Sequence, residues 1–181
     1  MLKTVTDQNG IRYELSGLLG HGGQGAVYAV KGWRLAVKII TGGNQIRRDR
    51  LRNQLTHVRR LPLKDLALAK PLEMLRPPHT GYVMEMLTGM VPIKSLMIPP
   101  KGQASLANWY LGGGGFRRRL RLLGKAAHLL AQLHSKGLVY SDPSPENIFI
   151  SASTDEHEVW LIDTDKDRKS TRLNSSHVSQ Y

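Results

Sequence analysis

Cysteine is absent from the 181 residues, so disulfides and thiolate metal sites are excluded, and the usage suits a reducing interior. Long hydrophobic runs are also missing. No segment is apolar for long enough to cross a bilayer, and the N-terminal MLKTVTDQNGIRYEL lacks the apolar stretch of a secretory signal. A soluble, cytoplasmic protein is expected. Acidic residues are scarce, with 14 Asp and Glu against 26 Lys and Arg, and the formal net charge is +12. That balance attracts polyanions without selecting among nucleic acid, nucleotide phosphates and anionic membrane. Much of the excess lies in IRRDRLRNQLTHVRR (46–60) and FRRRLR (116–121), which read first as the wet faces of amphipathic helices. A hydrophobic content of 40% suffices for a real core and excludes a wholly disordered chain. The length suits one domain, or one domain and a fragment of another.

Along the chain, YELSGLL alternates apolar and polar residues, and the β-rich runs AVYAV and RLAVKII flank the turn KGW. A basic amphipathic helix is expected from about 45 to 60, stopped by Pro62. LALAKPLEMLR and GYVMEML form two further short apolar runs, split by the turn PPHTG. Residues 88–115 read as irregular, with the loop signals IPPKGQ and LGGGG. The longest helix follows. In it Phe116, Leu120, Leu123, Ala127, Leu130 and Leu133 form a single stripe expected to be buried, with the arginines turned outward. Gly137 stands where a helix-ending glycine belongs, and LVY, NIFI and VWLID read as three short strands. No internal repeat is visible. Five strands with one helix, a connector near 86–92, and a helical segment carrying short strands make a two-lobed α+β pattern.

Within that pattern, GHGGQG (20–25) spaces Gly20, Gly22 and Gly25 as G-x-G-x-x-G. An ordinary hairpin accounts for those glycines taken alone. Absent side chains, however, let backbone N–H groups lie close over phosphate oxygens. Strands on both sides disfavour a dinucleotide fold, which needs a helix at the loop, and favour a flap over a nucleotide. Lys38 lies in the apolar run LAVKII, thirteen residues after Gly25. Its ammonium must reach water or an anion. A lysine snorkelling from an edge strand would satisfy that need. After a glycine flap, an α/β-phosphate contact is the better reading. YVMEML (82–87) is an apolar strand broken by Glu85 just before the connector, which suits an adenine-binding linker. Backbone groups of Glu85 to Leu87 would pair with the base edge and Met84 would shape the back of the pocket. In LVYSDPSPENIFI (138–150), Asp142 precedes Asn147 by five positions, and Pro143 and Pro145 hold the chain between them out of helix.

Taken together, these elements resemble a protein kinase from residue 13 to about 167. LHSKGLVYSDPSPENIFI is similar to the end of the long kinase helix and the catalytic loop, keeping the Asp and Asn of H-R-D-L-x-x-x-N as Asp142 and Asn147. WLIDTD (160–165) supplies Asp163 in the place of the D-F-G aspartate. The resemblance implies a bilobal α+β protein-kinase-like fold with a five-stranded small lobe (1–87) and an incomplete helical large lobe (88–167). It implies ATP and Mg²⁺ as cofactors and a serine/threonine-type phosphotransferase acting on a protein substrate. Asp142 would accept or orient the substrate hydroxyl, Lys38 would balance the α/β-phosphates, and Asn147 and Asp163 would hold Mg²⁺. Gly20, Gly22, Gly25, Val27, Ala36, Met84, Glu85 and Leu87 would surround the nucleotide. Such chemistry needs positioning and neutralisation of spreading negative charge more than covalent help.

Several positions depart from the kinase pattern. Tyr140 and Ser141 replace the histidine and arginine before the catalytic aspartate, so control through a phosphorylated activation loop gripping that arginine is not expected. Ser144 replaces the catalytic-loop lysine, which costs rate unless another cation, such as one from the arginine clusters, supplies the charge. D-F-G becomes Asp163-Thr164-Asp165. No glutamate lies between Lys38 and Glu73, which leaves Asp49 as the substitute ion-pair partner of Lys38 and Gln54 as a neutral alternative. The forms Y-x-D-x-x-P-x-N and L-I-D-x-D are similar to a divergent bacterial kinase group whose members often carry a DNA-binding module. A nucleic-acid partner, through such a module or the basic surface, therefore stays open. The substitutions also keep a pseudokinase reading, a nucleotide-binding scaffold without transfer, in contention. A nucleic-acid binder resting on charge alone ranks last, since no aromatic platform accompanies the basic clusters. Residues 168–181 (RKSTRLNSSHVSQY) resemble translated adaptor or vector sequence. With so little large lobe, the helix from 116 is expected to expose apolar surface.

Overall fold

A computed structural model describes residues 4–22, 25–61 and 63–162. β-rich runs build the first half into six strands: β1 (Thr4–Thr6), β2 (Arg12–Gly22), β3 (Gly25–Val30), β4 (Leu35–Ile40), β5 (Glu73–Met74) and β6 (Thr80–Glu85). Their order is β1-β2-β3-β4-β6-β5, and every pairing is antiparallel. An isolated bridge between Asp7 and Leu75 brings the far edges together, with Arg76 N donating to Thr6 O at 2.8 Å and Gln8 N to Met74 O at 2.9 Å. The curled sheet therefore encloses a core of Val5, Tyr13, Val30, Val37, Ile39, Leu75 and Val83.

β1 is one strand more than the pattern predicts, because three residues are too few to show a period. Asp7, fully buried, organises the turn that follows it. Its carboxylate accepts from the amides of Asn9 and Ile11, both at 2.9 Å, and from the Tyr13 hydroxyl at 2.8 Å. Burial and the neighbouring Asp7 carboxylate push the Tyr13 hydroxyl well above its ordinary pKa, so it remains a donor.

Helix α1 (Gln45–Arg60) covers the outer face of the sheet, with its N-cap Asn44 accepting from Arg47 N at 3.0 Å. Leu51 and Leu55 of α1 pack against Ile40, Met74, Tyr82 and Met84. Beyond α1, Leu63, Leu66 and Leu68 join Leu129, Leu133 and Leu161 in one buried cluster between the lobes.

The second half contains β7 (Met90–Pro92), a 3-10 turn (Ile93–Leu96), α2 (Leu106–Gly112), α3 (Gly115–Ser135), β8 (Ile148–Ser151) and β9 (Val159–Leu161). Strands β7, β8 and β9 form a small antiparallel sheet. The stretch read as irregular thus holds a strand and a helix, which are too short for their periods to register. LVY is not a strand. Its residues leave α3 through a helix-ending motif in which Gly137, at φ +72°, donates to His134 O and Leu138 N to Leu133 O.

The face that α3 buries differs from the expected stripe. Leu122, Ala126, Leu129 and Leu133 are buried, whereas Phe116, Leu120 and Leu123 are 65, 52 and 56% exposed. Both rows step by three and four, so periodicity alone cannot choose between them. The choice falls to tertiary contact with Ile93, Ile150 and Val159 on one side and the lobe junction on the other. Arg118 heads the buried row, against the outward placement expected for it. Its guanidinium donates to the carbonyls of Gly113, Ser151 and Ser153, and burial first, then neighbouring Arg119, lowers its pKa. No helix among the described residues is long and apolar enough to cross a membrane.

In the 181-residue chain, Leu122→Ala is expected to destabilise by about 2–5 kcal/mol, whereas Leu120→Gln and Leu123→Gln should each stay within about 0.5 kcal/mol. The two glutamine substitutions should also reduce dye binding to exposed apolar surface. Urea unfolding and ANS fluorescence of the three variants check both expectations.

Candidate active site

The small-lobe half of the site is one face of the sheet. Directly paired residues of antiparallel strands share a face. Lys38 pairs with Val27 on β3 and Tyr82 on β6, while Ala36 pairs with Met84. Val27, Ala36, Lys38, Tyr82 and Met84 therefore lie on the side of the sheet opposite the core that contains Val37, Ile39 and Val83. Lys38 is only 9% exposed, and its Nζ stands 6.0 Å from the Tyr82 ring centroid. An ammonium held this deep is costly unless charge or dipoles answer it.

The glycine hairpin ends this face. Gly22 pairs with Gly25 across the turn of β2 and β3. Gly25 has φ +155°, and a Cβ there would lie 2.0 Å from the Ile39 carbonyl oxygen, so glycine is required for β3 to close on β4. Gly20 and Gly22 face open space, with no atom within 4 Å of an added Cβ. Their role is not packing, which leaves room for a ligand against their backbone.

At the far end of β6, the Met86 amide donates to Arg34 O at 3.1 Å and is committed to the fold. The Leu87 amide has no partner among the described residues, and Glu85 is exposed. Of the connector amides from Glu85 to Leu87, that of Leu87 is the one open to a planar ligand edge.

The large-lobe half centres on the loop before β8. Asn147 is 5% exposed and its Nδ2 donates to Asp142 twice, to Oδ2 at 3.0 Å and to the backbone oxygen at 3.2 Å. The Asn147 amide donates to Ser144 O at 2.9 Å, closing a turn around Pro145. Asn147 Oδ1 has no hydrogen bond among the described residues. A hard, neutral oxygen next to a carboxylate is the donor chemistry that Mg²⁺ takes, with one or two protein ligands and the rest from phosphate and water. No group of three His, Asp or Glu that could hold a metal occurs among the described residues. Asp163, the second expected metal ligand, lies outside them, as do Thr164 and Asp165. Its chain neighbour Ile162 donates its amide to Asn147 O at 2.9 Å.

Two features were not legible as parts of this site. The Tyr140 hydroxyl donates to Ile162 O and lies 3.4 Å from Asn147 O, while its ring packs in the lobe-junction cluster. Lys94 braces the loop from outside, its amide on Pro145 O at 3.2 Å and its Nζ on Glu146 at 2.7 Å. That bond first of all holds the Glu146 carboxyl below its ordinary pKa. Tyr140 was visible only as a replaced histidine, and nothing in the sequence points to Lys94.

Asp49 has a different partner from the one expected. It is exposed on α1 and accepts from Gln45 Nε2 at 2.9 Å, one turn earlier on its own helix. The sheet-facing positions of α1 are taken by leucines, which turns Asp49 to solvent. Glu73 of β5 is likewise engaged, with Arg59 of α1 at 2.9 Å.

The model of the lipopolysaccharide kinase (Kdo/WaaP) family matches residues 101–179, a stretch that includes the Asp142–Asn147 loop. No curated protein matches the chain. Among solved structures, the kinase domain of Mycobacterium tuberculosis PknI superposes with a TM-score of 0.58 at 18% identity, covering 92% of this chain and 64% of that one. A double mutant of the same domain gives 0.59 at 17%, covering 94% of this chain and 66% of that one. This chain thus spans slightly less than two thirds of those domains. Its fold is that of a protein kinase, with the small lobe and part of the helical lobe.

Gly25→Ala is expected to cost about 1–3 kcal/mol through backbone strain against β4. Gly22→Ala should leave the melting temperature unchanged yet weaken the thermal shift produced by ATP. Melting curves of both variants with and without nucleotide check the contrast.

Proposed function

We propose that the chain carries the nucleotide-binding and catalytic residues of an ATP-dependent phosphotransferase of protein-kinase type, with a serine or threonine hydroxyl of a protein as first choice of acceptor. The bond between Asn147 Nδ2 and Asp142 Oδ2 carries the reading. It fixes a carboxylate and a metal-competent amide oxygen in one rigid loop, which is what in-line transfer needs from the protein. The acceptor oxygen attacks the γ-phosphorus as the bond to the ADP oxygen breaks, and Asp142 takes or orients the hydroxyl proton. Lys38 answers the charge of the α/β-phosphates from the sheet face it shares with Val27, Ala36 and Met84. The backbone of Gly20, Gly22 and Gly25 lies over the phosphates, and the connector at Glu85 to Leu87 meets the adenine edge. Asn147 and Asp163 would hold Mg²⁺, which would supply positive charge to offset that of the phosphates. The engagement of Asp49, the expected partner of Lys38, with Gln45 on its own helix argues for the pseudokinase alternative; the intact Asp142–Asn147 pair argues against it.

A second reading has its own support. The match to lipopolysaccharide kinases covers the catalytic loop, and Ser144 removes the lysine typical of protein acceptors, so a sugar hydroxyl is the rival acceptor.

Labelled ATP and the full-length parent protein test both. Wild type should transfer phosphate, whereas Asp142→Asn and Lys38→Ala should each lose roughly 10²–10⁴-fold. Signal that survives both substitutions removes the assignment. Label entering lipopolysaccharide but no protein favours the sugar reading.

A further inference from the structure

We propose that the outer edge of β9 is a docking site for an extended acidic peptide segment of a partner protein, which would join the sheet as an added strand. The site goes beyond the phosphotransferase reading, and neither Lys38, Asp142 nor Asn147 lines it. On its inner side β9 uses alternate residues to bond β8. Trp160 is opposite Phe149, Ser151 N donates to Glu158 O at 3.1 Å, and Ile162 N donates to Asn147 O at 2.9 Å. Antiparallel alternation therefore sends the backbone groups of Val159 and Leu161 to the opposite edge. Those of Leu161 are engaged there, with Ala67 O at 3.0 Å and Ala69 N at 2.9 Å. Those of Val159 have no hydrogen bond among the described residues, although Val159 is only 6% exposed. The parallel run stops because the facing chain turns away, with Leu66 N donating to Leu63 O at 3.2 Å. A backbone N–H and C=O left at a buried position are costly until a partner answers them. An open strand edge is the template on which an extended peptide does so.

Beside that edge lies a cleft of about 510 Å³, within the range of ligand sites. Val159 and Trp160 line it from β9, Lys64 and Ala67 from the segment after α1, and Lys125 and His128 from α3. Helix α3 extends the positive charge away from the cleft. Arg117, Arg121 and Lys125 recur every fourth residue with His128 beside them, so they form one exposed row. Their side chains make no hydrogen bond or ion pair among the described residues. Asp65 and Glu158 also line the cleft and offset its two lysines, which leaves the α3 row to favour an acidic partner. Successive side chains of a strand point to opposite faces. A segment that alternates acidic and apolar residues would set its carboxylates along the α3 row and its apolar groups against Ala67 and Trp160. Main-chain bonds to Val159 would supply affinity, and the row would supply selection.

The test uses the full-length parent and a fluorescein-labelled peptide in which glutamate alternates with valine. Fluorescence anisotropy should show saturable binding. Lys64→Glu and Lys125→Glu should each weaken it roughly tenfold or more without changing the melting temperature, since both side chains are exposed. Two further peptides, N-methylated at odd or at even amides, keep every side chain and charge. One of the two should lose binding by a similar factor, because only one set of amides faces β9. Hydrogen exchange of the segment containing Val159 should slow when the unmodified peptide is bound. Absence of saturable binding overturns the proposal, as does full binding by both methylated peptides or unchanged exchange at Val159. So does equal affinity for a peptide with lysine in place of glutamate. A single-stranded oligonucleotide that binds more tightly than the peptide, and is lost in the same two variants, overturns it in favour of nucleic acid. Should a variant not melt cooperatively, exchange at Val159 in the wild type and the methylated pair decide the outcome.

Discussion

Leu161 makes two backbone hydrogen bonds to the segment after α1, donating to Ala67 O at 3.0 Å and accepting from Ala69 N at 2.9 Å. This short parallel junction is what makes one molecule of two lobes. On its other side β9 is paired to β8, so the strand that ends beside Asp163 is held between the lobes. Six buried leucines close around the junction and keep water from those bonds. Burying a leucine side chain contributes about 1.5–3 kcal/mol, so this cluster outweighs any single polar contact nearby. The path from the junction to the chemistry is short: Leu161 to Ile162, Ile162 to Asn147, Asn147 to Asp142. In the other direction, residues 67–69 run directly into β5 and β6, and β6 lies beside Lys38.

Ionic contacts matter less to this frame than the composition suggests. Lys31–Glu14 and Lys94–Glu146 are exposed pairs whose attraction water screens. Several arginines are instead used as donors to carbonyls. Arg119 donates to Tyr110, Gly115 and Leu96 and lies over the Tyr110 ring at 4.2 Å. Arg118 ties the α2–α3 corner to the chain after β8 with no carboxylate in its bonds. A positive charge so enclosed tolerates burial because several dipoles converge on it.

The strands around Lys38 were legible because β-rich apolar composition is a local property and each run was long enough to display it. The Asp142–Asn147 pair was legible for the same reason, since five residues with two prolines can form only a tight loop. Where two answers were equally periodic, sequence had no way to decide. The rows of Phe116 and of Leu122 on α3 are such a case, settled by which surfaces lay opposite. Asp49 shows a different limit. Spacing placed it on the right helix, but the direction of its side chain depends on how α1 is rotated on the sheet, and Leu51 and Leu55 fix that. Tyr140 was hidden because a tyrosine near a strand reads as packing, and its hydrogen bonds reach a segment 22 residues away.

The missing lysine at Ser144 now has a sharper meaning on the proposed function. Two nearby sources of replacement charge are otherwise engaged. Lys94 is the cation attached to the catalytic loop, and it is bound to Glu146 just before Asn147. Arg118 and Arg119, from the second arginine cluster, are held on carbonyls of the α2–α3 corner and its neighbours. From the first cluster, Arg59 is paired with Glu73 and Arg52 reaches His79 O at 3.5 Å. Arg118 and Arg119 could reach a transferring phosphate only by giving up several carbonyl bonds, and Lys94, Arg52 and Arg59 each by giving up one contact. Loss of one preorganised donor to a developing charge typically costs about 10²–10³ in turnover. The site therefore suits a slow phosphotransferase whose geometry is set by packing, or one whose acceptor brings its own cation.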